Sequence, residues 1–329
     1  MIPILRSADC PQEPIAGWTL AVLGYGNQGR AQALNLRDSG HAVIVGAVPG
    51  HMSADLASAE GFAVVAPEHL GAHADLVAVL TPDETHRPTV QALARSGGRV
   101  RALVFAHGFA LRFDPPDLRP SWDVLLVAPS GPGVQLRSLF LDGGGLPALF
   151  AVHQDGSGEA EAVGRAYAAA IGCARGGLMV TTVAAETEVD LFGEQTVLCG
   201  GMNALCRAAF EILVESGYPA EMAYLECVQQ LKLTAELVER FGVEGMRRRI
   251  SPTALFGDLN RGPRLLDAGF RDRLRLILEE IRSGAFAREW LEKARNDAAW
   301  PEDDLARART GVLEDAGEIV RGLYSPPEP

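Results

Sequence analysis

The stretch LAVLGYGNQGRAQAL, residues 20–34, sets Gly24, Gly26 and Gly29 between an apolar β-branched run and a helix-like segment. The first glycine permits a tight turn and the second lets backbone amides approach a pyrophosphate. The third lets the helix pack close to the strand, and the helix N-terminus favours the anion. Glycines at this spacing mean little alone, but a second strand-like run, HAVIVGAV (41–48), completes the βαβ setting. A dinucleotide site built from Gly24, Tyr25, Gly26, Asn27, Gln28 and Gly29 is therefore predicted.

Four further runs, DLVAVLTP, RALVFAHG, DVLLVAPS and PALFAVHQ, continue the alternation of short strands and helical segments. That rhythm predicts a doubly wound parallel sheet of Rossmann type. From about residue 183 the pattern becomes helical, with few strand candidates. The reading is an α/β protein: a dinucleotide-binding domain over 1–182, then an all-helical substrate and metal domain over 183–329 that ends in a mobile YSPPEP tail. A length of 329 residues suits two domains.

Cofactor choice stays open. The acid that grips the ribose hydroxyls of NAD from the end of the second strand is missing, and VGAVPGHMSAD has no arginine for a 2′-phosphate. His51, Ser53 and backbone amides could serve NADH or NADPH, with a slight lean to NADH.

A net charge of −12 argues against nucleic acid or an anionic membrane as partner, because no basic excess neutralises phosphates. The one basic cluster, MRRRIS (246–251), reads as a solvated turn or a subunit contact. There is no cleavable-signal pattern and no apolar run approaching the roughly 20 residues of a membrane span, so a cytoplasmic protein is expected. Five scattered cysteines without a CxxC pair suggest neither a disulfide framework nor a thiolate zinc site.

DLFGEQTVLCGG (190–201) puts Asp190 and Glu194 one helical turn apart at the head of an apolar run. Glu226 sits similarly in YLECVQQLKL, with Gln230 one turn on. A carboxylate in such a setting is costly unless it is paired or holds a cation. Oxygen ligands on two helices suit Mg²⁺. Glu186 and Glu188 read as capping or solvated acids.

These motifs together resemble the ketol-acid reductoisomerases of branched-chain amino-acid synthesis. GYGNQGRAQALNLRDSG, PDETH, FAHGF, APSGPG, ETEVDLFGEQTVLCGG, ESGYPAEMAYLECVQQLKL and RISPTALFGD to NRGP occur in the family's order over almost the whole chain. The resemblance implies a knotted helical domain forming a homodimer, possibly a higher oligomer, whose active sites draw on both subunits. It implies a small-molecule substrate and a magnesium-dependent alkyl shift followed by hydride transfer from NAD(P)H. By resemblance Asp190 and Glu194 are metal carboxylates, and Glu226 is a further one contributed by the partner subunit. Ser251 contacts substrate and His107 lies beside the nicotinamide. Asp83, His86 and Gly133 belong to nucleotide-contacting loops, His86 standing where the family usually has glutamine.

Two departures stand out: Ser130 occupies the place of a lysine, and Gln230 that of a glutamate. Both losses weigh on the alkyl shift more than on reduction. The leading expectation is an NAD(P)H-dependent reductase of a 2-keto acid-like C=O or C=N substrate with its isomerase step impaired. An authentic reductoisomerase is the alternative, and a non-catalytic nucleotide-binding scaffold the remote third.

Overall fold

The structure, a computed structural model, describes residues 2–95 and 98–324; of the expected mobile tail YSPPEP (324–329), Tyr324 ends the helix Gly311–Tyr324 and residues 325–329 lie outside that range. The chain divides into two compact units, Met1–Val189 and Asp190–Pro329.

The first unit is built on a nine-stranded sheet. In chain order the strands are β1 (Ile4–Leu5), β2 (Thr19–Leu23), β3 (Ala42–Gly46), β4 (Ala63–Val65), β5 (Leu76–Val79), β6 (Ala102–Phe105), β7 (Asp123–Pro129), β8 (Ala148–Gln154) and β9 (Leu178–Val180). Their spatial order is β1-β9-β8-β7-β6-β5-β2-β3-β4. From β4 to β7 all neighbours are parallel, which is the Rossmann arrangement expected from the sequence. The edge differs: PALFAVHQ, read as one more parallel strand, runs antiparallel to β7. A strand's residues specify burial, not direction. Strands β1, β4 and β9, of two or three residues each, are too short to reveal themselves by periodicity.

Helices cover both faces, so β5 and β6 are buried along their whole length. Alternate residues feed two cores. Val22, Leu76, Ala78 and Val104 point into one, while Leu23, Val77, Val79 and Phe105 point into the other.

In the second unit a modest core gathers Phe210, Ala223, Tyr224, Ala316 and Val320. A Cβ on Gly317 would lie 2.7 Å from the Tyr224 ring, so glycine there permits the close helix crossing. The basic cluster is engaged locally: Arg247 pairs with Asp258, Arg248 with Glu244, and Arg249 lies over the Phe241 ring.

One sequence expectation needs correction. Val183–Glu215 is a 33-residue helical run whose most apolar window has a mean hydropathy of 1.5, long and apolar enough by length and composition to span a membrane. Only 6% of that window is buried within the chain; Val189, Val197, Leu198 and Leu205 are exposed.

Candidate active site

Strand β2 lies between β3 and β5, where the chain's winding reverses and a crevice opens at the carboxyl ends of the strands. The three glycines of the turn there have separate reasons. Gly24 has φ +96°, and a Cβ on it would lie 2.6 Å from the Leu80 carbonyl oxygen. A Cβ on Gly29 would lie 2.0 Å from the Gly24 oxygen. Gly26 is exposed, and a Cβ there would meet nothing within 4 Å. The helix Asn27–Asp38 begins immediately after it.

The APSGPG loop docks on this turn. The Gly133 amide donates to Asn27 Oδ1 at 2.6 Å, and Gln28 Nε2 donates to the Gly131 carbonyl at 2.8 Å. A Cβ on Gly133 would lie 2.0 Å from the Asn27 carbonyl oxygen. Asn27, Gln28 and Gly133 are thus brought together, with Ser130 exposed on the same loop. Tyr25 is buried; its hydroxyl donates to Glu60 at 2.6 Å, and burial with that carboxylate pushes its pKa up. Any role of Tyr25 at a nucleotide therefore falls to its backbone. Beyond β3, His51 caps the helix Met52–Ala59, its Nδ1 accepting from the Ser53 amide and lying 2.8 Å from Ser53 Oγ.

The ends of β5 and β6, neighbours in the sheet, bring a second group together. His107 Nδ1 lies 3.5 Å from Asp83 Oδ2, and its ring stacks on Phe109. His86 Nδ1 lies 3.7 Å from the other oxygen of Asp83. His86 itself is 3% exposed, with Nε2 2.7 Å from the Thr81 carbonyl and its ring edge-on to Phe105. The last residue of the PDETH turn is thus buried, with its ring bonded back to the Thr81 carbonyl. Burial holds its pKa under the ordinary histidine value, against the opposing pull of Asp83.

Glu186 departs from its sequence reading. It is 2% exposed, and Oε2 accepts from the Gly108 amide at 3.0 Å and from Thr187 Oγ1 at 3.2 Å. It ties the helix Val183–Gly193 to the AHGF turn, next to His107. Glu188 pairs with Arg112 at 2.6 Å. The signal was available: Glu186 precedes Asp190 by the same four residues that separate Asp190 from Glu194.

In the second unit Glu194 opens a π-helical turn, Glu194–Leu198, and Glu226 sits within another, Leu225–Gln229. Such turns recur at functional sites. Glycine permits the first: a Cβ on Gly200 or Gly201 would strike the Gln195 or Thr196 carbonyl at about 2 Å. Asp190, Glu194 and Glu226 are all exposed. Gln230 Nε2 donates to Glu226 Oε1 at 2.8 Å. Ser251 caps the helix Pro252–Leu265, its hydroxyl accepting from the Ala254 amide at 3.1 Å.

Among the described residues of this one chain, no three potential metal ligands form a cluster. The donors still fit a hard cation, since Mg²⁺ needs one or two carboxylates and keeps water elsewhere.

A glycine-rich turn at the switch point of a parallel sheet, with a histidine and a carboxylate at the neighbouring strand ends, defines a nicotinamide-dinucleotide-dependent oxidoreductase. Residues 14–177 match the family described as acetohydroxy acid isomeroreductase, NADPH-binding domain, and residues 183–325 match ketol-acid reductoisomerase, C-terminal domain. The chain belongs to the ketol-acid reductoisomerase family. A relative from Saccharopolyspora erythraea, named ketol-acid reductoisomerase (NADP(+)), is 44% identical over 98% of this chain and 97% of its own. The solved structure of an NADH-preferring ketol-acid reductoisomerase from an uncultured archean superposes with a TM-score of 0.94 at 35% identity, covering 99% of this chain and 100% of that one. A semialdehyde dehydrogenase NAD-binding protein from Cupriavidus necator shares the fold alone, with a TM-score of 0.60 at 20% identity over 81% of this chain and 99% of its own.

Proposed function

We propose that this family member reduces a 2-keto acid-like small molecule, C=O or C=N, with NAD(P)H, and that its alkyl-shift step is impaired. The observation that carries the reading is the Gln230 amide on Glu226. A glutamate at 230 would add an anionic ligand; the amide adds none and engages one oxygen of the carboxylate already there. Ser130 removes a further donor, the cation that the family likeness places on this loop. The alkyl shift develops an alkoxide next to a polarised carbonyl, so it leans on paired cations and nearby donors. Reduction asks less.

In this reading the Gly24–Gly29 turn and the N-terminus of the helix Asn27–Asp38 bind the pyrophosphate, Asp83 and Gly133 line the nucleotide, and His51 and Ser53 meet the ribose. The bound nicotinamide supplies a hydride. Asp190 and Glu194, with Glu226 of a second copy, would hold Mg²⁺, which supplies Lewis acidity to the substrate oxygen. Ser251 orients substrate, and His107, steadied by Asp83 and by the Glu186–Gly108 bond, lies beside the nicotinamide and orients the substrate oxygen. The exposed apolar face of Val183–Glu215 supports a homodimer, since so much apolar surface calls for a partner. The slight lean to NADH stays with His51 and Ser53, which offer no fixed cation to a 2′-phosphate.

Given 2-acetolactate and magnesium, the enzyme is expected to oxidise little NAD(P)H, while a 3-hydroxy-2-keto acid, which bypasses the shift, is reduced. Ser130→Lys with Gln230→Glu should then restore measurable acetolactate turnover. Rapid wild-type turnover of acetolactate to the dihydroxy acid would overturn the impairment. It would establish the second reading, an authentic reductoisomerase, which the end-to-end 44% identity to a relative of that name favours.

The metal site makes a separate prediction. Calorimetric titration with Mg²⁺ is expected to give one tight ion per site, and Gln230→Glu to add a second. Two tight ions in the wild type would contradict the weakened second position.

A further inference from the structure

We propose that Asp83 is a positioning residue that holds the His107 ring in its Nδ1–H tautomer, and that buried His86 is a proton-linked rival for the same carboxylate. The inference rests on the reading of His107 as the active-site histidine and adds what governs it.

Hydrogen-bond chemistry assigns the protons. The Thr81 carbonyl only accepts, so His86 Nε2, 2.7 Å away, carries a hydrogen. A neutral His86 then presents Nδ1 as a lone pair. That atom is buried, has no hydrogen-bond partner among the described residues, and lies 3.7 Å from Asp83 Oδ1. Two acceptors face each other there, and no bond joins them.

The other oxygen of Asp83 lies 3.5 Å from His107 Nδ1. A carboxylate only accepts, so a bond on this side puts the hydrogen on Nδ1 and leaves Nε2 with the ring's lone pair. Both separations exceed an ordinary hydrogen bond, so a small rotation of Asp83 commits it to one ring or the other. While His86 is neutral, only His107 can donate.

Protonating His86 reverses the choice. Its Nδ1–H⁺ becomes a charged donor aimed at the carboxylate and outcompetes a neutral imidazole. The groups around it are Asp83 and Glu84 on its own turn and His107 from the β6 end; burial lowers its pKa and Asp83 opposes that. Arg87, next in sequence, is held by Asp114, and the Gly108 amide by Glu186. Burial thus sets the switch on the acid side, below the ordinary histidine value of about 6.5.

Nitrogen-15 NMR of the histidine rings in the full-length protein, without substrate, tests this independently of the reaction catalysed. At pH 7.5 His86 is expected as the neutral Nε2–H form and His107 as the neutral Nδ1–H form. On acidification the His107 Nδ1 signal should move in step with His86 protonation. Asp83→Asn should shift the His107 tautomer ratio toward Nε2–H on the order of tenfold, the worth of one charge-assisted bond. His86→Gln should keep the Nδ1–H form at neutral pH and erase the coupled acid step. A His107 that is Nε2–H in the wild type, or that is indifferent to Asp83→Asn, overturns the positioning role; a coupled step that persists in His86→Gln overturns the rivalry.

Discussion

Gly26→Val is expected to unfold in urea with the wild-type midpoint and to bind NADH or NADPH on the order of 100-fold more weakly. The fold has no stake in this glycine, because a Cβ there meets nothing within 4 Å. The dinucleotide does: an isopropyl group at the head of the helix Asn27–Asp38 keeps the pyrophosphate from the turn's amides. Losing two hydrogen bonds to a charged group, at about 1.5 kcal/mol each, the low end of the range for such bonds, accounts for a change of this size. Fluorescence titration with each dinucleotide, run beside urea unfolding, separates the two effects. Wild-type affinity in the variant would mean that the pyrophosphate does not approach this turn, and would remove the nucleotide site from it.

Gly29→Val, three residues on, is expected to do the opposite, lowering the stability of the first unit by about 3 kcal/mol or more. Here the added Cβ would stand 2.0 Å from the Gly24 carbonyl oxygen and 3.4 Å from Val22. The first obstacle is backbone, so no side-chain rotation relieves it; the helix must lift from the strand. That movement would also break the Asn27 and Gln28 bonds to the APSGPG loop. A wild-type urea midpoint for this variant would show that the helix can slide without cost. With both outcomes the same motif keeps one glycine for a ligand and one for packing.

The turn and its six long strands were legible because local rules govern them. A β-branched run buries a strand, and glycines at 24, 26 and 29 meet demands set within a few residues. Asp190, Glu194 and Glu226 stood out as charges in apolar runs, and the likeness of seven ordered motifs named the family before any coordinates. The length of the apolar run was misjudged: Val183–Glu215 forms one long helical segment, exposed in the single chain.

What no local rule reaches is which distant groups meet. Strand β8 runs against β7 because of the path the intervening chain takes, on which the residues of PALFAVHQ are silent. Glu186 looked like a solvated acid. It is buried because the AHGF turn, 78 residues earlier, brings the Gly108 amide onto it. His86 and His107, separated by a helix and a strand, share Asp83 only because β5 and β6 are neighbours in register, Val79 beside Phe105. Sequence by itself determined the six long strands, the glycine turn and the family, since those depend on short-range sterics and ordered motifs. Tertiary structure alone decided which carboxylate faces which ring, because a contact across the sheet is set by strand order and register, and neither is written in the residues that make the contact.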